Sequence, residues 1–118
     1  MAKKILIAED YHDLLDFLSI FLEIHDFEVR GASSKEEVYM HIEVFQPDLI
    51  LMDVVLGPHD GREICKEIRA IHKKVGIILL SADPNLLADT NECEPEEVVE
   101  KPFSNEELLK KIKKVLSN

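Results

Sequence analysis

Cysteine is nearly absent from this chain, which has two, Cys65 and Cys93. They lie far apart and form no CxxC pair, so the pattern suggests neither a disulfide framework nor a zinc site, and a reducing cytoplasm is the expected compartment. No apolar run is long enough to span a bilayer, and no membrane association is expected. The amino terminus, Met-Ala-Lys-Lys before Ile-Leu-Ile-Ala, is too short for a secretory signal and reads as a first strand. Basic residues are outnumbered, 14 to 24, for a net charge of -10. Contact with a nucleic-acid backbone needs clustered Lys and Arg, so direct nucleic-acid binding is disfavoured. Repeats, low-complexity tracts and linkers are also missing. A chain of 118 residues, 46% hydrophobic, suits one compact domain over residues 1–118.

What is present alternates regularly. Residues 3–8, Asp48–Asp53 and Val75–Ser81 are short, mostly apolar runs of the kind that form buried strands. Phe27-Glu28-Val29 and Val98-Val99 are weaker and suit edge strands. Between them, apolar residues recur at helical spacing: Leu14, Leu15, Leu18, Phe21 and Leu22; then Val38, Ile42 and Phe45; then Ile64, Cys65, Ile68 and Ile71; finally Leu108, Leu109, Ile112, Val115 and Leu116. Cys65 in that third row reads as a small core residue. Asp10 is placed to cap the first helix. Ser33 or Ser34, each three residues before a Glu, opens the second as a capping box, and Ser104 with Glu107 opens the last. Pro47 stops the second helix. Gly57 to Gly61 reads as a loop, and Pro84–Asn91 as at most a short helix. Strands alternating with amphipathic helices specify an α/β domain with a parallel sheet, the three apolar strands central.

In such a sheet, ligands bind beyond the carboxyl ends of the strands. Four of the five strands end in reactive groups: Glu9-Asp10, Asp53, Ser81 and Lys101. Crowded carboxylates repel one another unless a cation joins them. Oxygen ligands suit a hard divalent ion such as Mg2+. A lysine and a hydroxyl opposite complete a cradle for a tetrahedral anion, and a carboxylate nucleophile can accept a phosphoryl group. Singly, each residue is more simply a helix start, a strand-end hydroxyl or a loop lysine. Their joint placement carries the reading.

The chain resembles the response-regulator receiver domains of two-component signalling. The resemblance rests on Glu9-Asp10 after the first strand, Asp53 closing the third, Ser81-Ala82 after the fourth and Lys101-Pro102-Phe103 before the last helix. It implies a single doubly wound, flavodoxin-like five-stranded sheet of order 2-1-3-4-5, with helices on both faces. Asp53 would take a phosphoryl group from a sensor histidine kinase or a histidine phosphotransfer protein. Glu9 and Asp10 would hold Mg2+ with Asp53 and the backbone carbonyl of Val55. Lys101 would contact the phosphoryl group and Ser81 would hydrogen-bond it. Small Ala82 leaves the site open, and the Lys101-Pro102 bond is expected to be cis. Such a domain is a cytoplasmic switch that catalyses only its own phosphorylation and dephosphorylation. Its output partner would dock on the fourth helix, fifth strand and fifth helix. Three features depart from the family pattern: Val98 stands where an aromatic is usual, Gly57-Pro58 is exchanged in order, and the stretch from Ser81 to Lys101 is short.

Other readings are weaker. A phosphatase of the haloacid-dehalogenase type needs a second Asp where Val55 stands. A binding-only receiver would have a broken acid set. A flavin-binding protein lacks here the loop rich in Ser, Thr and Gly. No histidine has ligand-like spacing with Cys or an acid, so all five, including His12 and His59 near the strand ends, read as solvated or partly packed. The stretch Asp83–Glu100 holds seven acids and no Lys or Arg. It reads as a solvated acidic surface first and as a docking site for a basic partner second.

Overall fold

The computed structural model describes residues 2–90 and 92–117. Five parallel strands form one sheet: β1 (Lys4–Ala8), β2 (Glu28–Ala32), β3 (Leu49–Asp53), β4 (Gly76–Ser81) and β5 (Glu97–Glu100). Their order is β2-β1-β3-β4-β5, the doubly wound arrangement the resemblance implies. The three apolar strands are central because both of their faces are covered. Every residue of β3 and β4 is buried, whereas edge strand β2 exposes Glu28, Arg30 and Gly31.

Alternation divides the core in two. Leu6, Ala8, Ile50, Met52, Ile77 and Leu79 face one layer, packed by Val38 and Ile42 of α2 (Lys35–Phe45), Ile64 and Ile68 of α3 (Gly61–Ile71), and Leu87 of α4 (Pro84–Ala88). Ile5, Ile7, Leu49, Leu51, Ile78, Leu80 and Val99 face the other. There Leu18 and Leu22 of α1 (His12–Ile24) and Leu108, Ile112 and Val115 of α5 (Asn105–Leu116) close over them. Full burial of a Leu or Ile contributes about 1.5–3 kcal/mol, so these two layers outweigh any single polar contact.

Ser34 caps α2 by accepting from the Glu37 amide, while the Glu37 carboxylate accepts from the Ser33 amide. Ser104 caps α5 by accepting from Glu107.

Several expectations are corrected. Asp10 does not cap α1. The cap position is Tyr11, which makes no side-chain cap bond, and the Asp10 carboxylate accepts instead from the Gly57 amide. Ile71 is 75% exposed, because α3 ends there and the last turn clears the sheet. The Gly57–Gly61 loop is a tight antiparallel ladder, Val55–Leu56 against His59–Asp60, with Gly57 turning it at φ +59°. Most consequentially, Cys65 and Cys93 are joined in a disulfide. Sequence spacing hides this pair, because the chain returns to α3 only after crossing β4 and α4.

Three of the seven acids of the stretch Asp83–Glu100 make ion pairs within the fold. Glu92 meets Lys66, Glu96 meets Arg69, and Glu97 meets Lys111 and Lys114. Asp83 caps the five-residue α4 by accepting from the Asn85 amide. Among the described residues, no helix is long and apolar enough to cross a membrane.

Candidate functional site

Strand parity decides which side chains meet. Glu9 continues the Ile5–Ile7 row, Asp53 the Leu49–Leu51 row and Lys101 the Val99 row, all on the α1/α5 side of the sheet. Register keeps the strand ends level: Met52 lies opposite Ala8 and Asp53 opposite Leu80. The Lys101 amide donates to the Ser81 carbonyl, which ties the start of the β5–α5 loop to the same end.

The three side chains converge accordingly. Lys101 Nζ donates to Glu9 Oε1 at 2.9 Å and to Asp53 Oδ2 at 2.5 Å. The other oxygens are held by backbone: Glu9 Oε2 accepts from the Tyr11 amide and Asp53 Oδ1 from the Val55 amide. Glu9 is 1% exposed and Asp53 6%. Burial pushes the Glu9 carboxyl up to about 7. The adjoining Asp53 acts in the same direction, against the donors Lys101 and Tyr11. For Lys101, burial opposes its charge, but its bonds to Asp53 and Glu9 prevail and hold the ammonium above its ordinary range. One cation thus serves two buried acids, leaving an excess of negative charge.

Apart from Val55, whose amide holds Asp53, the remaining candidate residues stand around this triad without joining its hydrogen bonds. Asp10 is exposed and turned to Gly57. Ser81 is buried, and its hydroxyl accepts from the Asp83 amide. Ala82 and Pro102 are exposed, and the Lys101-Pro102 bond is cis. Val98 packs partly buried against the α2/α3/α4 layer, and the Val55 side chain is 55% exposed. Among the described residues, no three acidic, His or Cys side chains stand close enough together to hold a metal ion in their present rotamers.

Sequence reading missed two features. Gly61 opens α3 against the end of β3, where a β-carbon would collide with the Asp53 carbonyl oxygen. A glycine directly after the capping Asp60 was the available signal. Beside Lys101 there is also an apolar groove of about 570 Å³, lined by Tyr11, Leu14, Phe17, Ala82, Pro102 and Phe103. Its walls come from α1, from Ala82 after β4 and from the loop after β5, so no local run of sequence shows it.

Comparison with known proteins agrees with this fold. Residues 5–113 match the family model described as the response regulator receiver domain. The chain is 33% identical over 118 residues to the alkaline phosphatase synthesis transcriptional regulatory protein PhoP of Bacillus subtilis (strain 168). That match covers 98% of this chain and 49% of the relative, so the chain spans about half the length of that curated protein. A CheY-like response regulator receiver domain protein from Methanospirillum hungatei JF-1 superposes with TM-score 0.92 at 25% identity, over 99% of this chain and 95% of the other. The signal receiver domain of a signal transduction histidine kinase from Syntrophus aciditrophicus gives 0.88 at 27% identity, over 98% and 91%. With the matched residues running from β1 into α5 and enclosing the whole Glu9–Asp53–Lys101 cluster, the chain belongs to the response-regulator receiver family of two-component signalling.

Proposed function

We propose that Asp53 is the phosphoryl acceptor of a two-component relay, charged by a sensor histidine kinase or histidine phosphotransfer protein. The observation that carries this reading is Lys101 bridging the buried carboxylates of Asp53 and Glu9 at the carboxyl end of the sheet. The Val55 amide fixes one Asp53 oxygen and leaves the other beside the ammonium. That second oxygen attacks phosphorus, the N–P bond of the phosphohistidine breaks, and the imidazole leaves with the electron pair. Lys101 then follows the phosphoryl oxygens and offsets their charge as it develops, where catalysis of this transfer mostly lies. The Ser81 hydroxyl, released from the Asp83 amide, supplies a further hydrogen bond to the product. The groove beside Lys101 gives an apolar seat to the helix bearing the donor histidine.

The donor set fits a hard cation. All its atoms are oxygens, two carboxylates already share one positive charge, and Asp10 is held by a single exposed hydrogen bond. Glu9, Asp10, Asp53 and the Val55 carbonyl would hold Mg2+, which when bound neutralises phosphoryl oxygens. Phosphorylation would then change binding of a downstream protein at the α4–β5–α5 face.

The test is intact mass after incubation with Mg2+ and a small phosphoryl donor. The wild type gains one phosphoryl group and Asp53→Asn gains none. No gain by the wild type, or equal gain by both, defeats the proposal.

Phosphoryl lifetime is set by neighbours that can orient water. Val55 has no polar atom in its side chain, so the phosphoryl group on Asp53 is expected to be long-lived. Val55→Asn should shorten its half-life several-fold, read as loss of phosphorylated mass with time. An unchanged rate would remove Val55 from this role.

A further inference from the structure

Arg62, Cys65 and Arg69 lie at i, i+3 and i+7 on α3 and form one stripe. All three fasten the same stretch, α4 and its connection to β5. Arg62 donates to the carbonyl oxygens of Leu86 at 3.3 Å and Asp89 at 2.9 Å. Arg69 donates to the Glu94 carbonyl at 3.3 Å and to the Glu96 carboxylate at 2.7 Å. Between them Cys65 is bonded to Cys93, 28 residues along the chain. The segment is also held by the Lys66–Glu92 ion pair and by Glu96, whose amide donates to the Ile77 carbonyl and whose carboxylate accepts from the Ile77 amide. The described residues of 89–96 form no helix or strand, and Cys93 is the one buried side chain described there. The arginine contacts are solvent-competing hydrogen bonds, whereas the central fastener is covalent and opens only to a reductant.

Cys65 and Cys93 are 0% and 1% exposed, so a reductant meets the bond only as the segment opens beside the groove of about 180 Å³ that Cys93 lines with Asp60, Arg62, Glu63, Lys66 and Glu92. Where thiols are kept reduced, a disulfide of this kind is made and broken in use.

We propose that Cys65–Cys93 is a redox-active pair, a site for dithiol reductants and disulfide oxidants, and that its reduction releases the α4–β5 segment from α3. A thiolate of the dithiol attacks Cys93 Sγ, and the Cys93–Cys65 bond breaks to leave the Cys65 thiolate. The second thiol of the reductant then attacks its own sulfur in the mixed disulfide and expels Cys93 as thiolate. The reductant leaves as a disulfide, having given up two electrons, and its two protons pass to Cys65 and Cys93. A disulfide oxidant reverses both exchanges. The segment precedes β5 and the output face, so its release alters a surface far in sequence from Asp53.

The experiment uses the full chain equilibrated in dithiothreitol buffers of graded ratio, with alkylation, intact mass and hydrogen exchange as readouts. Both thiols should appear together without denaturant. Amides of the segment should then exchange at least about tenfold faster, while those of β1 and β3 are unchanged. A Cys65→Ala/Cys93→Ala variant should show the fast exchange in every buffer. Three results would each overturn the proposal: thiols alkylated without any reductant, a bond that yields only in urea, or exchange indifferent to reduction. None of the readouts depends on phosphorylation of Asp53.

Discussion

Replacing Lys101 with Met should cost about 3 kcal/mol at pH 8 in metal-free buffer, since removing one partner of a buried ion pair strands the other charge. Here two carboxylates are stranded, Glu9 and Asp53, with only the Tyr11 and Val55 amides still donating to them. The pH dependence separates this cause from lost packing. The Glu9 carboxyl sits at about 7 in the folded protein, against 4.5 for the free group. Between those values the folded state binds the proton and the unfolded state does not, so stability falls as pH rises through that window. The wild type therefore already loses stability from about pH 4.5 to 7. In Lys101→Met the pull that Lys101 exerts on Glu9 is gone, the carboxyl moves further up, and the fall becomes larger. Urea midpoints at pH 5 and pH 8 should show the variant below wild type at both, with a clearly smaller deficit at the lower pH, where Glu9 is protonated. An equal deficit at both would mean that the lysine stem, not its charge, supports the site.

The second large effect is at Gly61. Helix propensity alone predicts that Gly61→Ala stabilises α3 by up to about 1 kcal/mol. The structure predicts the reverse. The Gly61 amide donates to the Val54 carbonyl at 2.6 Å, and an added β-carbon would be driven into the Asp53 carbonyl oxygen and against the Met52 side chain. Backbone cannot swing aside as a flexible side chain would, so the cost should be about 3 kcal/mol or more, above the usual range for overpacking. The strain falls on the turn that orients Asp53, so phosphoryl uptake from a small donor should fall with stability. A variant of wild-type stability would show that α3 shifts freely away from β3. Gly57 makes the contrast: its surroundings are open, and its positive φ is what favours glycine there.

Sequence by itself determined the sheet and its central acid. The run Leu49–Asp53 is apolar because both faces of a central strand are covered, and parity then places Glu9, Asp53 and Lys101 on one side of the sheet. The central place of β1, β3 and β4 and the edge positions of β2 and β5 follow from how apolar each run is, whereas the strand order came from the family resemblance. The tertiary structure decided everything that depends on neighbours distant in the chain. It turned Asp10 toward Gly57 and away from the cap, gave Ser81 to a backbone amide, and set the apolar groove between α1 and the β5–α5 loop. It also joined Cys65 to Cys93. The physical reason is the same in each case. Periodicity reports which face of an element is buried, whereas a hydrogen bond, a groove wall or a sulfur partner depends on which other element closes over that face.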